Sequence, residues 1–206
     1  MIRAYTFSAA GGRAVNEDAF LIREVPGAWL VALADGQGGR AGGARAAQLA
    51  CRVTIDEIAG GHEPDWFGAL ARADRAVAAA PEAGFTTLVV LRVAAGHVAG
   101  ASCGDSAAVV VCGDAAPRVL TSRQFKNPPV GSGGAAFVPF SLVLAMPWKL
   151  LALTDGVWKY ATWDRVWDCA ARLSGVELLN ELQTAARLST TGEFQDDFTV
   201  VLLESE

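Results

Sequence analysis

The stretch that most constrains this chain is Leu30–Val31–Ala32–Leu33–Ala34, which runs into Asp35, Gly36, Gln37, Gly38 and Gly39. An apolar run bounded by turn-forming residues reads as a buried strand, and this one delivers Asp35 at its end, where a ligand can reach it. Every other acidic residue is then judged by whether it can meet Asp35. Three further segments offer a carboxylate beside a strand: Asn16–Glu17–Asp18, Leu151–Ala152–Leu153–Thr154–Asp155–Gly156 and Gln195–Asp196–Asp197–Phe198–Thr199–Val200. If they converge, their summed charge needs cations.

A chain of 206 residues is most simply one domain, residues 1–206, and at this length buries about 70% of the surface of its unfolded chain without staples. Hydrophobic residues at 52% and charged residues at 19% suit a multilayer core rather than a disordered segment. A net charge of −5 provides no footprint for nucleic acid or an anionic membrane. Cys51, Cys103, Cys112 and Cys169 show no CxxC spacing and sit in apolar surroundings, so free thiols in the reducing cytoplasm are expected rather than disulfides or zinc. The first residues lack the charged-then-apolar pattern of a signal peptide. The longest greasy region, 137–153, is interrupted by Pro139, Pro147 and Lys149 and is too short for a bilayer; it reads as two strands. A monomer is expected.

In chain order, residues 3–9 and 19–25 alternate as strands, and the strand bearing Asp35 is third. Ala44, Ala47, Cys51, Ile55 and Ile58 form one apolar helical stripe, ended by Gly60–Gly61. A second helix over about 64–80 starts at Pro64 and carries Trp66, Leu70, Ala73 and Val77 on one face. Residues 86–93, 97–103, 107–112 and 118–121, separated by short Gly-containing turns, read as an antiparallel meander. The Ser-, Gly- and Pro-rich segment 122–140 is expected to be a mobile loop. Strands near 141–145 and 149–154 follow, then a helix around 162–172 and another from about 175 with Ser174 and Glu177 as a capping box. The last strand is 198–203. This order predicts an α+β fold, a four-layer α-β-β-α sandwich of two antiparallel sheets flanked by helix pairs.

Carboxylates within about 5 Å of one another cost on the order of 1 kcal/mol per pair even in water, and more in a half-buried cleft, unless cations offset them. With no plausible His or Cys ligand among them, oxygen donors select Mg²⁺ or Mn²⁺. Two such ions can activate a water for in-line attack on a phosphoryl group, so hydrolysis of a phosphate ester is the expected chemistry.

Arg13 with Asn16–Glu17–Asp18, then Ala34–Asp35–Gly36–Gln37–Gly38–Gly39, Thr86–Thr87–Leu88, Gly104–Asp105–Ser106, Thr154–Asp155–Gly156–Val157–Trp158 and Asp196–Asp197–Phe198–Thr199–Val200 resemble, in order, the motifs of the metal-dependent protein serine/threonine phosphatases of type 2C (PPM). Six motifs spread over residues 13–203 make the resemblance specific. It implies a central β-sandwich, a binuclear Mg²⁺/Mn²⁺ centre at one end of it, and a phosphorylated protein as substrate, with a serine/threonine kinase opposing the reaction. It further implies that Asp35 bridges the two ions and the Gly36 carbonyl ligates one of them. Asp155 and Asp196 would bind on one side, Glu17 and Asp18 would hold metal-bound waters, and Arg13 would grip the phosphate through its planar fork. Asp105 matches a position that in bacterial relatives helps hold a third, weaker ion.

The chain departs from the family where several relatives carry a His as proposed general acid; here it is Gln37, which cannot donate a proton by titrating. The Arg that often follows Gly–Asp–Ser is Ala107, and the usual Thr-x-Asp-His reads Thr121–Ser122–Arg123–Gln124. Only 50 positions separate Asp105 from Asp155, too few for the helical flap of many relatives.

Plainer readings stand beside these. Asp35 and Asp155 taken singly are ordinary strand-to-turn residues, Glu17–Asp18 precede a strand as solvated residues do, Asp105 fits a hairpin turn, and Arg13 fits a surface charge. Alternation directs Asp196 to the site and Asp197 to the surface or a supporting position. Residues 36–41 satisfy a loose GxGxxA, but the acidic residue about 20 positions on, Asp56, falls inside a helix, which argues against a dinucleotide site. His62 and His97 lie outside every motif, and the tryptophans between 148 and 167 serve packing or a partner surface. The rival function is a phosphatase-like regulatory binding module without turnover.

Overall fold

The computed structural model describes residues 1–37, 42–60, 64–113 and 115–205. Gly38, Gly39, Gly61 and His62, which figure in the sequence reading, lie outside the described residues. The strands are β1 (Ile2–Ala9), β2 (Asp18–Val25), β3 (Ala28–Asp35), β4 (Leu88–Ala94), β5 (His97–Cys103), β6 (Ala107–Cys112), β7 (Arg118–Val119), β8 (Val138–Val143), β9 (Trp148–Leu153) and β10 (Phe198–Ser205). The helices are α1 (Gly43–Ile58), α2 (Trp66–Ala79), α3 (Asp155–Ala161), α4 (Trp163–Arg172) and α5 (Gly175–Ala186).

The strands form two antiparallel sheets, ordered β1-β10-β9-β6-β7 and β2-β3-β4-β5-β8. Why β3 is apolar throughout follows from the layers. Leu30, Ala32 and Ala34 face the cluster built with α1 and α2, whereas Val31 and Leu33 face the opposite sheet. Successive strand residues point to opposite sides, so a strand with a layer on each side needs apolar residues at every position. The second sheet repeats the pattern: Leu151 and Leu153 pack toward α3, α4 and α5, while Leu150 and Ala152 pack between the sheets. The architecture is the α+β sandwich the sequence predicts, with a third helix on one side.

Four local expectations are corrected. The 86–121 block is not one meander, because β4 and β5 stay in one sheet whereas β6 and β7 pair within the other. The chain changes sheets at Gly104–Asp105–Ser106. Gly104 adopts φ +117°, and a Cβ there would lie 2.5 Å from Cβ of Thr87, so only glycine makes the crossing. The sequence reading placed no helix over 155–161, since Asp–Gly reads as a turn; α3 forms there, and Gly156 is needed because a Cβ would lie 2.0 Å from the Asp197 carbonyl oxygen. The 122–140 segment is not a free loop. The buried Asp74 carboxylate accepts from the amides of Gly131, Gly133 and Ala135, Val130 bridges to Thr86, and β8 begins at Val138. Finally, Ser174 makes no side-chain cap, and the Gly175 amide instead donates to Glu204 Oε2 at 3.2 Å.

Candidate metal centre

The β2–β3 register sets Asp18 directly opposite Asp35. Counting back by twos, Asp35 shares its face with Leu33 and Val31, and Asp18 with Phe20 and Ile22, so both carboxylates close off the inter-sheet core at one end of the sandwich. The end of β3 is clamped: the Asp35 amide donates to Thr87 Oγ1 at 2.9 Å, and its carbonyl accepts from the Thr86 hydroxyl and the Thr87 amide, each at 2.9 Å. Thr87 Oγ1 also meets Ser106 Oγ at 2.7 Å, which ties the sheet crossing at residues 104–106 to the base of Asp35.

That crossing carries Asp105 to the cleft. Ligand atoms of Asp35, Asp105 and Asp155 all lie within 4.8 Å of one another. Asp155 opens α3, directly after Thr154, whose hydroxyl donates to Asp18 Oδ2 at 2.9 Å and accepts from the Thr199 amide at 3.0 Å. Asp196 lines the same cleft, of about 310 Å³, with Arg13, Gly36 and Gln37. Arg13 stands at its mouth, Nη1 on Glu17 Oε2 at 2.9 Å and Nη2 on Asp196 Oδ1 at 3.5 Å. Two glycines permit this closeness. A Cβ on Gly36 would sit 2.7 Å from the Glu17 carbonyl oxygen, and one on Gly43 would sit 2.7 Å from Glu17 Oε1.

Asp197, assigned by alternation to the surface or a supporting position, is buried and supporting. Its Oδ1 accepts from the Gly11 amide at 2.9 Å and its Oδ2 from the Glu17 amide at 2.7 Å, which fixes the segment bearing Arg13 and Glu17. Two other participants, Lys159 and Lys126, escaped the sequence reading, and a third, Trp158, entered it only as a motif residue read as packing or a partner surface. Lys159 forms an ion pair with Asp155, Lys126 one with Asp105 at 2.6 Å, and the Trp158 indole donates to the Asp105 carbonyl at 3.1 Å. Lys159 was findable as the i+4 partner of Asp155, given the helix.

The charges divide into two groups. Arg13 pairs with Glu17 and Asp196, Lys126 with Asp105 and Lys159 with Asp155, whereas Asp18 and Asp35 have no cationic partner among the described residues. Burial, reinforced by Asp18, Asp155 and Asp105, pushes the Asp35 carboxyl up to about 10. Asp18 rises to about 7, again chiefly through burial, opposed by hydroxyl bonds from Thr199 and Thr154. Asp18 Oδ1 is buried without any hydrogen-bond partner among the described residues. A buried carboxylate oxygen lacking a donor is costly unless a cation meets it. An all-oxygen set with its unmet charge at the centre fits a hard divalent ion such as Mg²⁺ or Mn²⁺.

The family model described as Protein phosphatase 2C matches residues 8–190. The chain belongs to that family. No curated protein matches its sequence significantly. Among solved structures, the phosphatase fold is shared with the serine/threonine phosphatase Stp1 from Staphylococcus aureus, at 19% identity and a TM-score of 0.80 over 100% of this chain and 96% of that one. PppA, a key regulatory component of T6SS in Pseudomonas aeruginosa, is 22% identical with a TM-score of 0.78, over 98% and 96% of the two chains. RsbX, solved in complex with magnesium, is 14% identical with a TM-score of 0.77, over 98% and 94%. At these identities the likeness concerns the phosphatase fold alone.

Proposed function

We propose that this chain is a metal-dependent protein serine/threonine phosphatase that hydrolyses phosphoserine and phosphothreonine, acts as a monomeric single domain in the cytoplasm, and opposes a kinase. The observation that carries the reading is the pair Asp18–Asp35, which has no cationic partner and one partnerless buried oxygen among the described residues, at the inner end of an otherwise charge-paired cleft. Family membership and phosphatase relatives support the same chemistry.

Asp35, Asp155, Asp196 and the Gly36 carbonyl would hold two ions, Mg²⁺ or Mn²⁺, with Glu17 and Asp18 supporting them and Asp105 beside them. Such ions supply a water acidified enough to attack phosphorus and positive charge against the phosphoryl oxygens. Thr154 orients Asp18 by donating to Oδ2, and the other oxygen, Oδ1, is buried with no hydrogen-bond partner among the described residues. Asp197 holds the amides of Gly11 and Glu17, which keeps Arg13 at the rim. Its planar guanidinium suits two phosphate oxygens at once, and a phosphate replaces its present partners Glu17 and Asp196. Because Gln37 does not titrate, the proton for the departing hydroxyl comes from water in the cleft.

Purified protein with millimolar Mn²⁺ is expected to hydrolyse a phosphothreonine peptide and p-nitrophenyl phosphate, and to lose both activities with a chelator. Asp155→Asn is expected to abolish turnover with an unchanged circular dichroism spectrum. Failure of the native chain on both substrates, or full activity in Asp155→Asn, refutes the proposal.

A further inference from the structure

Lys126 sits beside Asp105 by construction. The Gly104 amide donates to the Phe125 carbonyl at 2.8 Å, so the residues preceding both partners are joined through the backbone. The turn carrying Asp105 is held from three further sides: Trp158 Nε1 on the Asp105 carbonyl at 3.1 Å, Gln124 Nε2 on the Ser106 carbonyl at 2.7 Å, and Thr87 Oγ1 on Ser106 Oγ at 2.7 Å. With both backbones pinned, the Lys126 ammonium rests on Asp105 Oδ2 at 2.6 Å. The same carboxylate reaches to within 4.8 Å of Asp35 and Asp155. Asp105 therefore faces the shared centre on one side and a tethered cation on the other.

We infer that Lys126 supplies, as a fixed ammonium, the positive charge on the Asp105 side of the cleft, and that Asp105 thereby takes no divalent ion of its own. An ammonium at hydrogen-bond distance repels a second cation arriving at the same carboxylate and satisfies one of its oxygens. The inner pair has no such substitute: among the described residues, no lysine or arginine meets Asp18 or Asp35. Lys126 is the most exposed of the three cations, at 64%, so it can be replaced without opening the core. This inference rests on the metal-centre reading above.

Calorimetric titration with Mn²⁺, compared across the native chain, Lys126→Met, Lys126→Arg and the double variant Lys126→Met/Asp105→Asn, tests it. The native chain and Lys126→Arg are expected to share one stoichiometry, Lys126→Met to take up one further equivalent, and the added Asp105→Asn to remove it. Equal stoichiometry and affinity in the native chain and Lys126→Met overturn the inference alone. So does loss of an equivalent in the single variant Asp105→Asn, which places an ion there despite the lysine. Absence of Mn²⁺ binding in every protein overturns both this inference and the metal centre.

Discussion

Asp35→Asn probes the charge balance of the cleft most directly, because its effect has opposite signs with and without metal. In the metal-free fold the Asp35 carboxyl is raised from 3.8 to about 10, so it binds its proton more tightly than the unfolded chain does. A carboxyl shifted upward contributes stability that is fully present below its unfolded value and is lost as pH rises toward its folded value. From 3.8 to pH 7, at about 1.4 kcal/mol per unit, the loss is about 4 kcal/mol. A single charged neighbour at 4.8 Å repels by about 3.5 kcal/mol at an effective dielectric constant of about 20, a figure of the same size. Asparagine keeps the shape of the protonated acid and needs no proton. The backbone bonds of residue 35 to Thr86 and Thr87 are untouched by the change. In chelator, Asp35→Asn is therefore expected to be more stable than the native chain by about 3 kcal/mol, which for a chain of this length raises Tm by about 10 °C. With Mn²⁺ at about a thousand times its Kd, the native chain gains about 4.1 kcal/mol by linkage and the variant gains nothing, which leaves the variant about 1 kcal/mol less stable. Thermal unfolding followed by circular dichroism at neutral pH in both conditions reads out the two signs. A variant that melts below the native chain in chelator, or gains as much from Mn²⁺, refutes the reasoning.

The same linkage sets a pH profile: in chelator, the native Tm falls from about pH 5 to about pH 9 as protons held by Asp18 and Asp35 are lost, and Mn²⁺ flattens the slope. A Tm that rises with pH over this window would contradict the assignment of these two as the uncompensated pair. Away from the cleft, Asp74→Ala removes a buried carboxylate that takes three amide bonds and is expected to cost about 3 kcal/mol in urea unfolding. A loss below about 1 kcal/mol would mean that the segment around 131–135 is held by other contacts.

The layer order was legible because a strand packed on both faces must be apolar at every position, as Leu30–Ala34 is, and a helix on a sheet must show one stripe, as Ala47, Cys51 and Ile55 do. The strand-end carboxylates were legible for a related reason. Apolar runs that stop abruptly at Asp35, and at Asp155 after Thr154, announce both the strand and the charge delivered at its tip. What misled was Gly. At residue 104 it was read as a hairpin turn within a meander, whereas it carries the chain across to the other sheet; at 156 it was read as a turn, whereas it begins a helix. Both roles depend on how closely another segment approaches, Thr87 in one case and Asp197 in the other.

Local pattern by itself thus determined most of the strands, four of the five helices and which carboxylates sit at strand ends, because alternation and helical stripe are written residue by residue. Only the tertiary structure decided which charges are neutralised. Lys126 reaches Asp105 and Arg13 reaches Asp196 across 21 and 183 positions of sequence, whereas Asp18 and Asp35 face each other without a cation among the described residues. Charge balance depends on distance in space, and sequence separation carries no measure of it.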